Sequence, residues 1–483
     1  MPINNVKQTE NIHVLTATRQ EKQSGEQALT TREPLQNGSL GIAIASALLS
    51  RIAGRISFVI MSFYLGERFT SATVVVLILE SFYITELLIS PLVGSFSDRI
   101  GRRPFLLLSP LLAAVATTGM LFVTQLFPRP DGHVINAGLI IFLLILLVER
   151  LIEGVASGMN VPATLGYITD VSKGSERLRV RVMTAFEIVT VAGITLAIPF
   201  GGKISSVMGT RGFFVVIGIY LLALLLVRTG MKESVSQHEM KQNQGSLLTS
   251  LAVIRHKRIF TFLPAWFSVN ALVGSWTTLI LIMLAYPDPA ADARHPHQLL
   301  YGGFGKMGAS LWVGVFALTF LLGMVLWVPL VTRMRRTTVM VISLGGLALM
   351  IVALTLLNGL AENPYSLTES ARPLALGLVI LVIPGVLLLS GFTPVALTQM
   401  SALADTLPYQ RGSVMGLYSV VLAIGQLLGT VIGGFCVDLG GFYGLMAFST
   451  IMGCISLVSV LYMRTKRDDL IHTSDGKRLE FLQ

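Results

Sequence analysis

Apolar residues along this chain fall in long, nearly unbroken runs, with neither period-two alternation nor short amphipathic stripes. A helix needs about 20 consecutive apolar residues to cross a hydrocarbon core of roughly 30 Å. Runs of that length lie at 39–64, 70–97, 104–127, 136–168, 180–204 and 212–230, then at 259–286, 309–332, 337–358, 372–402, 412–436 and 441–463. A polar stretch from Arg228 to Arg258 separates the two sets. Without water in the bilayer core, every backbone polar group must be paired internally, which leaves helices or closed barrels. The missing alternation selects helices. The pattern predicts an all-α integral membrane protein of twelve transmembrane helices: a six-helix bundle over 39–230, a linker over 231–258 and a second bundle over 259–463. Segments 1–38 and 464–483 are polar tails. The first is mixed in charge and lacks an apolar run, so it reads as a disordered tail and not as a signal peptide.

Composition agrees: 53% of the 483 residues are hydrophobic and 13% charged, against about a quarter charged in soluble chains. The net charge of +10 invites a nucleic-acid reading, but its distribution points elsewhere. Of 36 Lys and Arg, 26 fall in the tails and the even-to-odd connections. The opposite connections hold only Arg68, Arg129, Lys203, Arg211, Arg294, Lys306 and Arg372. The positive-inside rule then places both termini in the cytoplasm and the protein in the cell membrane, with the lipid bilayer as partner and no role for nucleic acid. Cys436 and Cys454 lie within apolar runs, so neither a disulfide nor a metal cluster is implied. His295 and His297 sit in the outer loop between 287 and 306 and read as solvated. No phosphate-cradling glycine loop and no Ser-His-Asp arrangement is present, which argues against ATP-driven pumping, a cofactor or an enzyme.

The two halves resemble each other. At an offset of 232, Val182-Met183 maps onto Val414-Met415, Gly193 onto Gly425, and Gly201-Gly202 onto Gly433-Gly434, relating the fifth and eleventh runs. Glycines recur in membrane helices because they let backbones approach. The alignment gains weight from the central linker, which divides the chain at the same place.

Charges within the apolar runs concentrate in the first half: Arg51, Arg55, Glu80, Glu86, Glu149, Arg150, Glu153 and Glu187. An unpaired charge at mid-bilayer costs at least ~2.5–3.5 kcal/mol, so each must face protein or water. Five acids stand against three bases, leaving carboxyls that can exchange a proton. Arg51 and Arg55 share a helix face, and Arg150 and Glu153, three apart, can pair. Glu149 and Glu153 serve equally well as plain neutralising partners, and Glu187, near a span end, can snorkel. Glu80 ranks first for proton carriage, then Glu153 and Glu86. The second half offers Trp266, Asn270, Trp276, Gln399 and Gln426 as cavity-lining candidates, although tryptophans more often serve as core or interfacial anchors.

Between the second and third runs stands Gly94-Ser-Phe-Ser-Asp98-Arg99-Ile-Gly101-Arg102-Arg103-Pro104. An acid closes one helix, a glycine permits the reversal, and cations meet the headgroups. This string resembles the signature loop of the major facilitator superfamily (MFS) at every defining position. The resemblance implies the MFS fold, two six-helix bundles related by a pseudo-two-fold repeat, and a monomer. It also implies that Gly94, Asp98, Arg99, Gly101, Arg102 and Arg103 form a cytoplasmic gate, with Asp170 as a partner. The equivalent loop of the second half, Arg333-Met-Arg335-Arg336, keeps the cations but lacks the acid and the glycine. Arg150-x-x-x-Gly154-x-x-x-Gly158 resembles the family's fourth-helix motif, linked with proton coupling; a plain packing face is the simpler reading. Ile198-Pro199-Phe200-Gly201-Gly202 matches an exporter motif only in part.

The expected function is secondary active transport of a small molecule by alternating access, with protons as the coupling ion. Scarce second-half charge favours efflux of a partly apolar compound. The alternatives are uptake of an organic anion or sugar, with Arg51, Arg55 or Arg150 binding it, and a non-transporting sensor or assembly factor on the same fold.

Overall fold

The computed structural model describes residues 39–69, 71–127, 137–171, 176–233, 257–285, 295, 297–331, 333–361, 367–396, 398–399 and 411–466. Twelve helical spans follow one another. The first half comprises Ser39–Gly66, Ala72–Glu80 running on as Phe82–Ile100, Arg103–Leu126, Ala137–Val171, Glu176–Met208 and Phe213–Gly230. The second comprises Lys257–Ala285, Gly305–Val331, Arg336–Asn358, Arg372–Leu389, Arg411–Gly440 and Phe442–Lys466. Among the described residues, ten stretches are long and apolar enough to cross a membrane by length and composition alone. The fourth helix falls outside that set because Glu149, Arg150 and Glu153 interrupt it, and the end of the fifth is continuous with the sixth in Thr195–Gly230. The face at which Ser39, Met231, Lys257 and Lys466 lie is the terminal face, and the opposite one the distal face.

Glycines set the closest helix approaches. A side chain at Gly154 would collide with the Phe82 carbonyl and one at Gly158 would press on Glu86, so the fourth helix lies flush against the second. The repeat is legible in packing as well as in sequence. Gly193 and Gly201 rest on Leu48 and Val59 of the first helix, as Gly425 and Gly433 rest on Asn270 and Leu279 of the seventh. Their neighbours reach across instead: Gly202 meets Ser310 of the eighth helix, and Gly434 meets Thr73 and Val76 of the second. Each glycine pair therefore makes one contact within its bundle and one between bundles.

These bridging contacts run from the distal loops to mid-depth. Near the distal face an apolar cluster joins Val59, Phe63 and Ile198 of the first half to Leu281, Leu284, Ala309 and Val313 of the second. Around its rim, Lys306 pairs with Glu67 at 2.7 Å, and the Asp438 carboxylate reaches the start of the second span. His295 is half-buried: its ring stands edge-on to Tyr301, and its Nε2 lies 3.2 Å from the Asp438 carbonyl oxygen, while His297 is exposed. The outward surface is apolar, as along the eighth helix, where Leu311, Val315, Leu318 and Leu322 are exposed with Trp312.

Candidate functional site

The second span breaks near its middle. Ala72–Glu80 and Phe82–Ile100 meet at Ser81, whose hydroxyl donates to the Ile78 carbonyl at 2.8 Å. Such a side-chain bond competes with the helix ladder. The Leu79 carbonyl here accepts from Arg150 instead, at 3.2 Å from Nε and 2.8 Å from Nη2. Arg150 is 1% exposed, pairs with Glu153 through Nη1, and carries the Phe82 ring 5.3 Å from its guanidinium carbon. It is a structural staple across the break, and the break presents Glu80 and Tyr83 to the other bundle.

Both of those side chains cross the interface. The Thr278 hydroxyl of the seventh helix donates to Glu80 Oε1 at 2.5 Å, and the Tyr83 hydroxyl donates to Gln426 Oε1 of the eleventh. Arg55 lies within electrostatic reach of Glu80 and Tyr83, with its guanidinium carbon 4.7 Å from the centre of the Phe58 ring. Its Nε is buried without a hydrogen-bond partner. Arg51, one turn away and half-exposed, neighbours Glu86, which also reaches Ser157. The arrangement is a mid-depth polar cluster in which charges come from the first bundle and neutral hydrogen-bonding groups from the second.

The remaining candidates divide. Glu149 turns away from the cluster onto Gly119 of the third helix, and its Oε2 is buried without a partner. The side chains of Glu187, Asp98 and Arg99 lie outside the described residues, as does the packing of Gly94. Trp266 packs inside the second bundle, stacked on Phe262 and 1% exposed, and the Asn270 amide donates back to its carbonyl at 2.7 Å. Trp276 donates to Ser449 at 2.9 Å and stacks on Phe316. In this conformation these three fill the core and do not line the cluster: Trp266 stacks inside the second bundle, and Asn270 and Trp276 bond within it. Gln399, also fully buried, accepts from Arg336 Nη1 at 3.0 Å near the terminal face; of the five lining candidates only Gln426 meets the cluster.

At the terminal face, Arg102 lies over Gly166 and its Nε stands 3.3 Å from Asp170 Oδ2, with Nη1 donating to Ser97. Glu233, which the sequence does not single out, accepts the backbone N–H groups of Arg102 at 2.8 Å and Arg103 at 3.0 Å. It thereby caps the third helix from the end of the sixth. Gly101 has φ +107, and a side chain there would strike that carboxylate. The second half repeats the position with a difference: Arg336 meets the neutral Gln399 where Arg102 meets Asp170.

A two-bundle helical protein with a buried, bundle-bridging polar cluster at mid-depth is the architecture of an alternating-access carrier. The chain matches the Major Facilitator Superfamily over residues 43–305 and 296–480, and it belongs to that family; it is a transporter and not an enzyme. No curated protein matches it in sequence. Among solved structures it is similar to the nucleoside transporter NupG, with 14% identity over 89% of this chain and 98% of that one and a TM-score of 0.63. A D-xylose-proton symporter gives 16% identity, 92% and 98% coverage and a TM-score of 0.60. The inward open conformation of the xylose transporter XylE from E. coli gives 16%, 92% and 98%, and 0.58. At these identities the likeness is one of fold.

Proposed function

We propose that this chain imports a small polar solute together with a proton by rocking one bundle against the other. The observation that carries the reading is the cluster itself. Glu80 accepts a hydrogen bond from Thr278 across the interface while Arg55 stands beside it with a buried, unpartnered Nε. A carboxylate bonded to the opposite bundle ties its protonation to the bundle arrangement, and an unsatisfied guanidinium awaits a hydrogen-bonding ligand. Efflux of a partly apolar compound loses its support, because the second bundle contributes Thr278 and Gln426 to the cluster and not an apolar wall. Similarity to a nucleoside transporter and a D-xylose-proton symporter supports a polar solute in the same way.

The distal contacts are closed here, and the charge distribution supports a cytoplasmic terminal face, so in this arrangement the cluster exchanges with the cytoplasmic side. The protein works as a monomer in the cell membrane. The test is flux into vesicles reconstituted with the full chain under an imposed pH gradient, interior alkaline. Accumulation driven by the gradient, and abolished by Glu80→Gln while solute exchange survives, is the expected result. Flux indifferent to the gradient would leave facilitated diffusion, and solute moving against the proton would restore efflux.

A further inference from the structure

Two side-chain bonds cross between the bundles at mid-depth, and they differ in kind. Glu80 is 2% exposed and holds the Thr278 hydroxyl at 2.5 Å. One turn along the second span, Tyr83 and Gln426 are neutral and half-buried, and the Tyr83 hydroxyl donates to Gln426 Oε1. Tyr83 faces the cluster, within electrostatic reach of Glu80, Glu86, Arg51 and Arg55. The backbone at Gln426 has no room to retreat from it. A side chain at Gly274 of the seventh helix would strike the Gln426 carbonyl oxygen at 2.7 Å, and Gly425 and Gly429 rest as closely on Asn270 and Ala271. Thr430 donates to the same Gln426 carbonyl at 2.7 Å. The seventh and eleventh helices thus hold Thr278 and Gln426 on one platform. Tyr83 is held likewise: its ring centre lies 4.0 Å from that of Phe82, whose carbonyl sits flush against Gly154 of the fourth helix.

The bond between Tyr83 and Gln426 does not exhaust either group. A phenol donates once and also accepts; a carboxamide accepts at its oxygen and donates twice at its nitrogen. With the Tyr83 hydroxyl donating to Oε1, its own lone pairs remain, and Gln426 Nε2 makes no hydrogen bond among the described residues. Turning the carboxamide over exchanges the roles and again leaves one donor and one acceptor. Nε2 and Oε1 share one carbon, so the two free functions stay neighbours whichever way the amide is turned. The pair therefore offers a donor and an acceptor side by side, one from each bundle. A solute that carries the complementary pair satisfies both. One that lacks the donor leaves a polar group of the interface unpaired, which is how a hydrogen-bonding site rejects an analogue.

We infer that Tyr83 and Gln426 form a specificity site that reads a donor and an acceptor on neighbouring atoms of the solute: two adjacent hydroxyls, or the N–H and C=O of a cyclic amide. A solute held there is gripped from both bundles at once. The inference rests on the proposed import of a polar solute and names the chemistry that the carrier selects.

The test measures ligand-induced thermal stabilisation of the full chain in detergent, and uptake into vesicles under an interior-alkaline pH gradient. The probes are xylose, glucose, uridine and hydantoin, each beside a counterpart in which every O–H and N–H is methylated, so that acceptors are kept and donors lost. At least one unmethylated probe should bind, and its counterpart should bind more weakly. Tyr83→Phe and Gln426→Leu should each weaken that probe roughly three- to tenfold and leave its counterpart unchanged, so that the discrimination narrows. That narrowing separates recognition from the bulk of the added methyl groups and from a purely structural role. Unliganded melting temperatures show whether each variant keeps its fold. Equal binding of a probe and its counterpart, variants that weaken both alike, or binding by none of the probes overturns the site, and pH-driven uptake would still leave proton symport standing. Discrimination that depends on Tyr83 and Gln426, with uptake indifferent to the pH gradient, overturns proton symport instead and leaves the site.

Discussion

Asp438, near the end of the eleventh helix, accepts the backbone N–H of Ala72 at 2.6 Å and so caps the start of the second span from the opposite bundle. The same carboxylate takes the Thr73 N–H at 3.1 Å and the Ser71 hydroxyl at 2.8 Å. The first N–H groups of a helix have no partner inside it and carry the positive end of its dipole, so an acid there is favourable on both counts. Opening the distal face must pull this acid away. Asp438→Asn, which keeps the shape and loses the charge, should cost the closed state about 1 kcal/mol, roughly a fivefold shift in population. With Cys436 and Cys454 replaced, a cysteine at Ser310 should react several-fold faster with an impermeant maleimide in the variant. An unchanged rate would mean that Asp438 is a passive cap.

The neighbouring pair of Lys306 and Glu67 should matter far less. Its side chains are 27% and 41% exposed, and ion pairs of that kind contribute about 0–1 kcal/mol. At the middle of that range, ~0.4 kcal/mol, Lys306→Ala should alter the same labelling rate by about twofold. A larger change would show that the pair, and not the Asp438 cap, holds the distal face shut.

Local features of this fold are legible in the sequence, and partners distant along the chain are not. Span lengths, the linker and the Gly201-Gly202/Gly433-Gly434 correspondence follow from composition and spacing because bilayer thickness and close helix approach act locally. Arg150 and Glu153 are legible as a pair because a spacing of three places both on one helix face. The break at Ser81 carries no proline or glycine to announce it, and its cause, Arg150 on the Leu79 carbonyl, comes from another helix. Glu149 shows the same limit: sequence supplies a surplus acid, and only packing turns it onto Gly119. Trp266 and Trp276 read from sequence more readily as core or interfacial anchors than as cavity lining, and in this conformation the stacking of one and the hydrogen bond of the other lie within the second bundle.

Glu233 and Gly101 should be energetically coupled. Gly101 sits at φ +107, where a side chain is strained, and its space is taken by the Glu233 carboxylate. Gly101→Ala should destabilise by about 1–3 kcal/mol through backbone strain and this collision. Glu233→Ala should cost about 0.5–2 kcal/mol through the lost cap of the third helix. The double variant should be less destabilised than the sum, because removing Glu233 removes the collision but not the strain. Melting temperatures in detergent for the four proteins complete the cycle, and simple additivity would separate the two residues.

Glu80 and Thr278 supply the last expectation, about how proton and bundle movement are joined. Thr278 donates to Glu80 at 2.5 Å across the interface. A hydroxyl donor bonds an ionised carboxylate more strongly than a neutral one, by roughly a factor of two in strength. The bond thus favours the present arrangement when Glu80 is ionised, and protonation loosens it, letting the bundles rock with the proton aboard. Glu80→Gln should mimic the protonated state: exchange of labelled for unlabelled solute continues, while accumulation against a gradient disappears. Thr278→Val leaves the carboxyl able to take a proton but deletes its tie to the second bundle. It should therefore keep proton binding and lose tight coupling, seen as a proton leak through the carrier without solute. Both readings come from one vesicle preparation, with a pH-sensitive dye inside and labelled solute outside. If Thr278→Val accumulates solute as steeply as the parent chain and leaks no protons, the interface bond is not the coupling element.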